Sequence, residues 1–139
     1  MPHSKPAVLL AAACMLACGR VDDQRNRANE TAAIVTIKSI HTAQTQYFAQ
    51  FGRFAATLAE LGPPASGPPS IQAADLIPAN LTTGKKSGYS FELTTSPAGY
   101  VIRAEPVDPG PTKFYYSNQE MVIRANTGSR ANENSPEVR

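Results

Sequence analysis

The chain contains no tryptophan, two cysteines and two histidines among 139 residues, and its charge leans to neither sign. Each shortage removes a class of function. Two histidines, His3 and His41, supply too few imidazoles for a metal site, which needs three or four converging ligands. His41, alone on a helical pattern, reads as a surface or packed side chain. Thirteen Lys and Arg stand against eleven Asp and Glu, a net charge of +2, which is no electrostatic footprint for nucleic acid. No apolar run reaches the roughly 20 residues of a membrane-spanning helix. Aromatic side chains are Tyr and Phe alone, so any apolar core must draw its large rings from them.

One apolar run is present, and its length is informative. "AVLLAAACMLAC" (7–18) follows Lys5 and stops at Cys18-Gly19. A short basic start, an apolar core of about 7–15 residues and a small residue before the cut describe a secretory signal. Lys5 is the basic start, Ala7 to Leu16 the core and Ala17 the small residue. "MLAC" (15–18) resembles a bacterial lipobox, with Met15 where Leu is usual; the resemblance implies an acylated Cys18 at the mature N-terminus. A plain secretory signal, or an uncleaved signal anchor with Cys18 incidental, is the alternative. Cys14 leaves with the signal, so Cys18 would have no internal disulfide partner. A lipoprotein cysteine carries several acyl chains, and two or more chains anchor stably where one does not. With Lys5 removed the charge balance is 12 to 11. The resulting division is a signal at 1–17, a tether at 18–25, a domain at 26–125 and a flexible, pattern-free tail at 126–139.

The domain opens on helical periodicity. From Gln24 to Gly52, Ala33, Ile37, Ile40, Gln44, Tyr47 and Phe51 recur at spacings of four and three, and Ile34 and Phe48 widen the stripe. Asp22, Asp23 and Glu30 suit the positive end of the helix dipole, and Gly52 is the stop signal. The threonines and Val35 are mediocre helix formers, so packing has to stabilise this helix. Leu58 and Leu61 belong to a short second helical turn. "PPASGPPS" (63–70) is a loop, residues 73–81 form a short helical segment disturbed at Pro78, and "TTGKKSG" (82–88) is a turn-rich loop.

Beyond Gly88 the period changes to two. Tyr89, Phe91 and Leu93 alternate with polar neighbours, as do Tyr100, Ile102 and Ala104, and "SPAG" (96–99) joins the two runs as a hairpin. "KFYYS" (113–117) and "MVIR" (121–124) predict a second hairpin. In "FYY", Tyr115 faces away from Phe114 and Tyr116, which means sheet packing or an aromatic offered to a partner. About four antiparallel strands with one apolar face need a cover, and the helix stripe has the right length. The expected class is α+β: a long N-terminal amphipathic helix packed on a small antiparallel sheet.

These residues, in this order, resemble the solvent-side half of type IV pilins and pseudopilins. The resemblance rests on "RANETAAIVTIKSIHTAQTQYFAQFGRFA" (27–55), "GYSFEL" (88–93), "GYVIRAEP" (99–106), "KFYYS" and "VIRANTG" (122–128), and it covers residues 25–135. It implies a pilin-like fold, an envelope location and a non-enzymatic role in assembly beside pilus or type II secretion-like proteins. The prepilin leader, the apolar half-helix and the glutamate at the fifth mature position are missing. Gly19 runs instead into charged residues, and Glu120-Met121 stands where a Gly usually precedes "VIR". The combination implies a pilin-like head hung from a lipid. Two other readings remain open: a periplasmic ligand- or peptide-binding lipoprotein, and a filament subunit whose true start lies upstream of Met1.

The candidate site residues follow. Cys18 is the lipid attachment point. Ala33, Ile37, Ile40, Tyr47 and Phe51 form the helix core face, and Tyr89, Phe91, Leu93, Tyr100 and Ile102 the sheet core. Binding is expected on the uncovered helix face and the loops at 63–87 and 107–112. No nucleophile–base pair, cofactor motif or metal set emerges; "GKKSG" (84–88) lacks the spacing and strand-to-helix setting of a phosphate loop, and Glu105 with Asp108 does not make a calcium loop. Arg20, Arg25 and Arg27 read as a solvated face, or as a membrane-surface contact beside an anchor. The partners expected are a membrane, through lipidated Cys18, and envelope proteins, with no nucleic acid.

Overall fold

A computed structural model describes residues 7–107 and 110–139, with side chains from Gly19 onward. The first element, α1 (Ala7–Phe51), is a single helix of 45 residues. Its lower half follows the stripe: Ala33, Ile37, Ile40, Gln44 and Tyr47 are fully buried, each at 0 % exposure. Every large apolar side chain buried this way contributes roughly 1.5–3 kcal/mol. Phe51 is half-buried, its ring 4.7 Å from that of Tyr47. Phe48 does not join the stripe; it is 48 % exposed and leans on Phe54 instead. Gly52 ends the helix at φ +71°, with its N–H bonded to the Phe48 carbonyl. That left-handed conformation is the usual reason for glycine after a helix.

The expected tether is helical. Residues 19–25 continue α1 and are exposed on every side. Extending an existing helix costs far less than starting one, and Arg25 pairs with Asp22 at 3.3 Å one turn away.

Two short helices, α2 (Leu58–Leu61) and α3 (Ala79–Thr82), follow. Thr57 caps α2 by accepting from the Glu60 N–H, and Glu60 reaches back to the Ala56 N–H at 2.7 Å, close to a capping box. Leu58, Leu61, Ala74, Ile77 and Leu81 carry this segment into the core.

The sheet has five antiparallel strands, where about four were expected, in sequence order: β1 (Lys85–Lys86), β2 (Tyr89–Ser96), β3 (Gly99–Pro106), β4 (Lys113–Asn118) and β5 (Arg124–Thr127). β1 lies in the stretch read as a loop. Ser87 and Gly88, both at positive φ (52° and 75°), turn the chain so that Lys86 pairs with Tyr89, the two-residue hairpin that matches strand twist. β5 starts at Arg124 rather than Met121. Met121, at φ +64°, is still turning, its N–H bonded to the Asn118 carbonyl.

The face of the sheet bearing Tyr89, Phe91, Tyr100, Ile102, Ala104 and Tyr115 packs under α1 as one core. Leu93 is only partly buried at its margin. On the opposite face Tyr116 is buried beneath the Arg103 guanidinium, 5.2 Å from the ring centre, so the aromatic run packs the sheet. The expected free tail is packed as well. Ala131 is buried and its carbonyl accepts from Arg103; the Ser135 carbonyl accepts from Arg124. The Ala125 N–H bonds to Pro136 and the Val138 N–H to Ile123. The segment has no periodicity because its backbone, rather than an apolar stripe, closes the free edge of β5.

Candidate interaction surface

His41 sits one position past Ile40 on α1 and four past Ile37, and the stripe rotates it toward the sheet. It is 5 % exposed. Its Nδ1 lies 2.6 Å from the Tyr100 hydroxyl and its Nε2 lies 2.7 Å from Ser117 Oγ. The Ser117 hydroxyl donates to the Val122 carbonyl at 2.8 Å. A serine has a single hydrogen to give, so Ser117 Oγ accepts from His41 Nε2–H. Nδ1 is then unprotonated and accepts from Tyr100. The chain runs in one direction, from Tyr100 through His41 and Ser117 to Val122, and ties β3, α1, β4 and the turn before β5 together. Burial holds the His41 pKa down to about 4 and pushes Tyr100 up to about 12. A serine whose hydrogen is committed to a carbonyl, and which faces an N–H rather than a base, is oriented against nucleophile chemistry. Periodicity leaves His41 off the apolar stripe, as a surface or packed side chain; its partners, 59 and 76 residues away in sequence, had no local signal.

A second polar pin is Gln44. Its amide donates to the Ala55 carbonyl at 3.0 Å and accepts from the Ala55 N–H at 2.8 Å, while Thr95 donates to the same carbonyl. Tyr47 donates to the Ile71 carbonyl and stacks under Arg53, which pairs with Glu60 at 3.2 Å. Burial raises the Glu60 pKa, but hydrogen bonds from Arg53 and the Ala56 N–H outweigh it and leave the carboxyl below its ordinary value.

Beside the His41 chain the surface is furrowed. Three adjoining hollows of about 340, 160 and 320 Å³ lie between α1 and the turn from β4 to β5, and Met121 lines all three. The α1 wall comprises Ile34, Lys38, Thr42, Thr45 and Phe48; Met121, Val122, Ile123 and Val138 form the other, with Phe54 and Tyr100 at one end. The helix wall spans about 21 Å, fourteen residues at a 1.5 Å rise.

The structure gathers the remaining expected site residues into the core, not onto a surface, and Leu93 and Phe51 fall at its edge. The Cys18 side chain and Asp108 lie outside the described residues. Lys85 and Lys86 are exposed on an edge strand. Among the described residues no three His, Cys, Asp or Glu side chains converge as a metal set, and no helix is long and apolar enough to cross a membrane. The chain matches no protein-family model, no curated protein and no solved structure.

Proposed function

We propose that this protein is a non-enzymatic, pilin-like head tethered to a membrane of the cell envelope through an acylated Cys18, acting as an accessory to a pilus or secretion-like assembly. The observation that carries the reading is a conjunction along one element. An apolar run that ends at "MLAC" continues as the same helix whose later stripe covers an antiparallel sheet. A helix that joins a signal-like segment to a folded head is what a tethered, pilin-like subunit needs. The order of β2 to β5 after it, each of which falls on one sequence piece of the resemblance, supports the same assignment.

Mass spectrometry of the mature N-terminus tests the reading. A diacyl or triacyl adduct on Cys18, with residues 1–17 absent, is the expected result. An unmodified N-terminus after cleavage elsewhere would remove the tether from the proposal.

A further inference from the structure

We propose that the furrow between α1 and the β4–β5 turn receives an acidic amphipathic helix of a partner protein. Three observations combine. First, exposed apolar side chains gather there: Phe48, Met121 (53 % exposed) and Val138 all line it, and Val35 stands next to its α1 wall. Exposed apolar residues scattered singly need no explanation, but a row along one depression marks a contact site.

Second, the charged side chains that line it have one sign: Lys38 and Arg139 line it, and no Asp or Glu side chain does. Among the described residues Lys38 has no carboxylate within ion-pair distance, all six ion pairs lying elsewhere. Glu120, beside Met121 on the turn, does not line the furrow. An occupant that brings carboxylates to Lys38 complements this field, and one bearing lysines is repelled.

Third, the walls favour a helix over an extended peptide. An added strand takes its affinity from main-chain hydrogen bonds to a sheet edge. One wall here is a helix, whose backbone groups are already paired internally, and the other is a turn whose Asn118 and Val122 carbonyls are already used. A segment lying here must satisfy its own backbone, as a helix does. Aliphatic anchors at i, i+4, i+7 and i+11 would run along the furrow from Val138 to Phe48, with a glutamate beside Lys38. This inference stands on the furrow alone and does not depend on how the chain is anchored.

The test uses the ¹⁵N-labelled full chain and two synthetic helical peptides. They share a leucine stripe at that spacing and carry either glutamates or lysines on its flanks. The glutamate peptide should bind and shift the amide signals of Thr42, Thr45, Met121 and Val138. Lys38→Glu should weaken it by roughly tenfold or more and strengthen the lysine peptide, since like charges across a contact are costly. Thr42→Glu, exposed on the same helix wall, keeps Lys38 in the chain but sets a carboxylate one turn away that pairs with it, and should weaken the glutamate peptide as well. Equal binding of the two peptides, or shifts confined to other surfaces, would overturn the proposal. Concentration-dependent shifts of the furrow signals in the chain alone would overturn it too, in favour of a second copy as the occupant.

Discussion

His41 enters the fold as a neutral base between two hydroxyls, and that fixes its response to acid. In the unfolded chain an imidazole titrates near 6.5; in the fold burial lowers this one to about 4. Above pH 6.5 both states are neutral and the fold keeps its full stability. Between 6.5 and 4 the unfolded chain takes up a proton that the fold refuses, so stability falls as pH falls; below 4 this loss is complete. The total is about 3 kcal/mol. Urea denaturation from pH 7.5 to 4.5 should show this decline in the natural chain and a shallower one in His41→Gln. Equal slopes would mean that His41 is not the group responsible. Tyr100→Phe deletes the hydroxyl beside Nδ1 but keeps the ring that buries it, and because burial is what lowers this imidazole, an NMR titration should still find it well below 6.5. Gln44 makes a different kind of bond. Gln44→Leu keeps the volume but orphans the Ala55 N–H, whose carbonyl retains Thr95. An unmatched buried donor costs roughly 1–3 kcal/mol, and a thermal melt should show that loss at every pH, unlike the loss tied to His41.

Turns decide where the elements begin and end. Gly84 leads into β1 at φ +77°, and a Cβ there would lie 2.8 Å from the Phe91 carbonyl oxygen. Gly84→Ala therefore meets both a left-handed conformation and a backbone collision that no side-chain rotation relieves. A loss of about 2–4 kcal/mol is expected, read as a lower urea midpoint. Gly52→Ala provides the comparison: φ is +71° but no atom lies within 4 Å of the added Cβ, so only the conformational cost of about 1 kcal/mol remains. The same contrast explains what the sequence made legible. Period-four and period-two patterns carried α1, β2, β3 and β4 because each buries one face, and burial leaves its period in the residues. β1 has both lysines exposed and buries no face, so its only signal was the Ser87-Gly88 pair. The final segment is held by main-chain bonds at 125, 136 and 138, which any sequence can make. The furrow was legible in part: periodicity leaves Lys38, Thr42 and Thr45 on the uncovered face of α1 but assigns Ile34 and Phe48 to the stripe, and Met121 arrives from a turn whose geometry no local pattern encodes.

At the scale of the whole molecule, folding and the proposed anchoring would occupy separate stretches of one helix. The core begins at Ala33, and α1 already reaches the sheet slightly earlier: Glu30 pairs with Lys113 at 3.7 Å, and Asn29 lies against Gly88. Residues 19–25 are all exposed, and among the described residues their one ion pair, Arg25 with Asp22, is internal to the helix. Twelve helical residues from Cys18 to Glu30 span about 18 Å, so a lipid at Cys18 would hold the head clear of the headgroups on a stalk rather than on a loose cord. Cys18→Ser removes the acceptor thiol and should therefore split two readouts. Membrane fractionation should move the protein from the pellet to the soluble fraction or leave it as an unprocessed precursor, since acylation precedes the cut in the lipoprotein route that "MLAC" resembles. The melting temperature of the head should stay within about 1 °C, because a surface change remote from packed features is worth no more than a few tenths of a kcal/mol. A head that loses stability together with its membrane association would mean that α1 above Ala33 contributes to folding, and that the stalk and the domain are one cooperative unit.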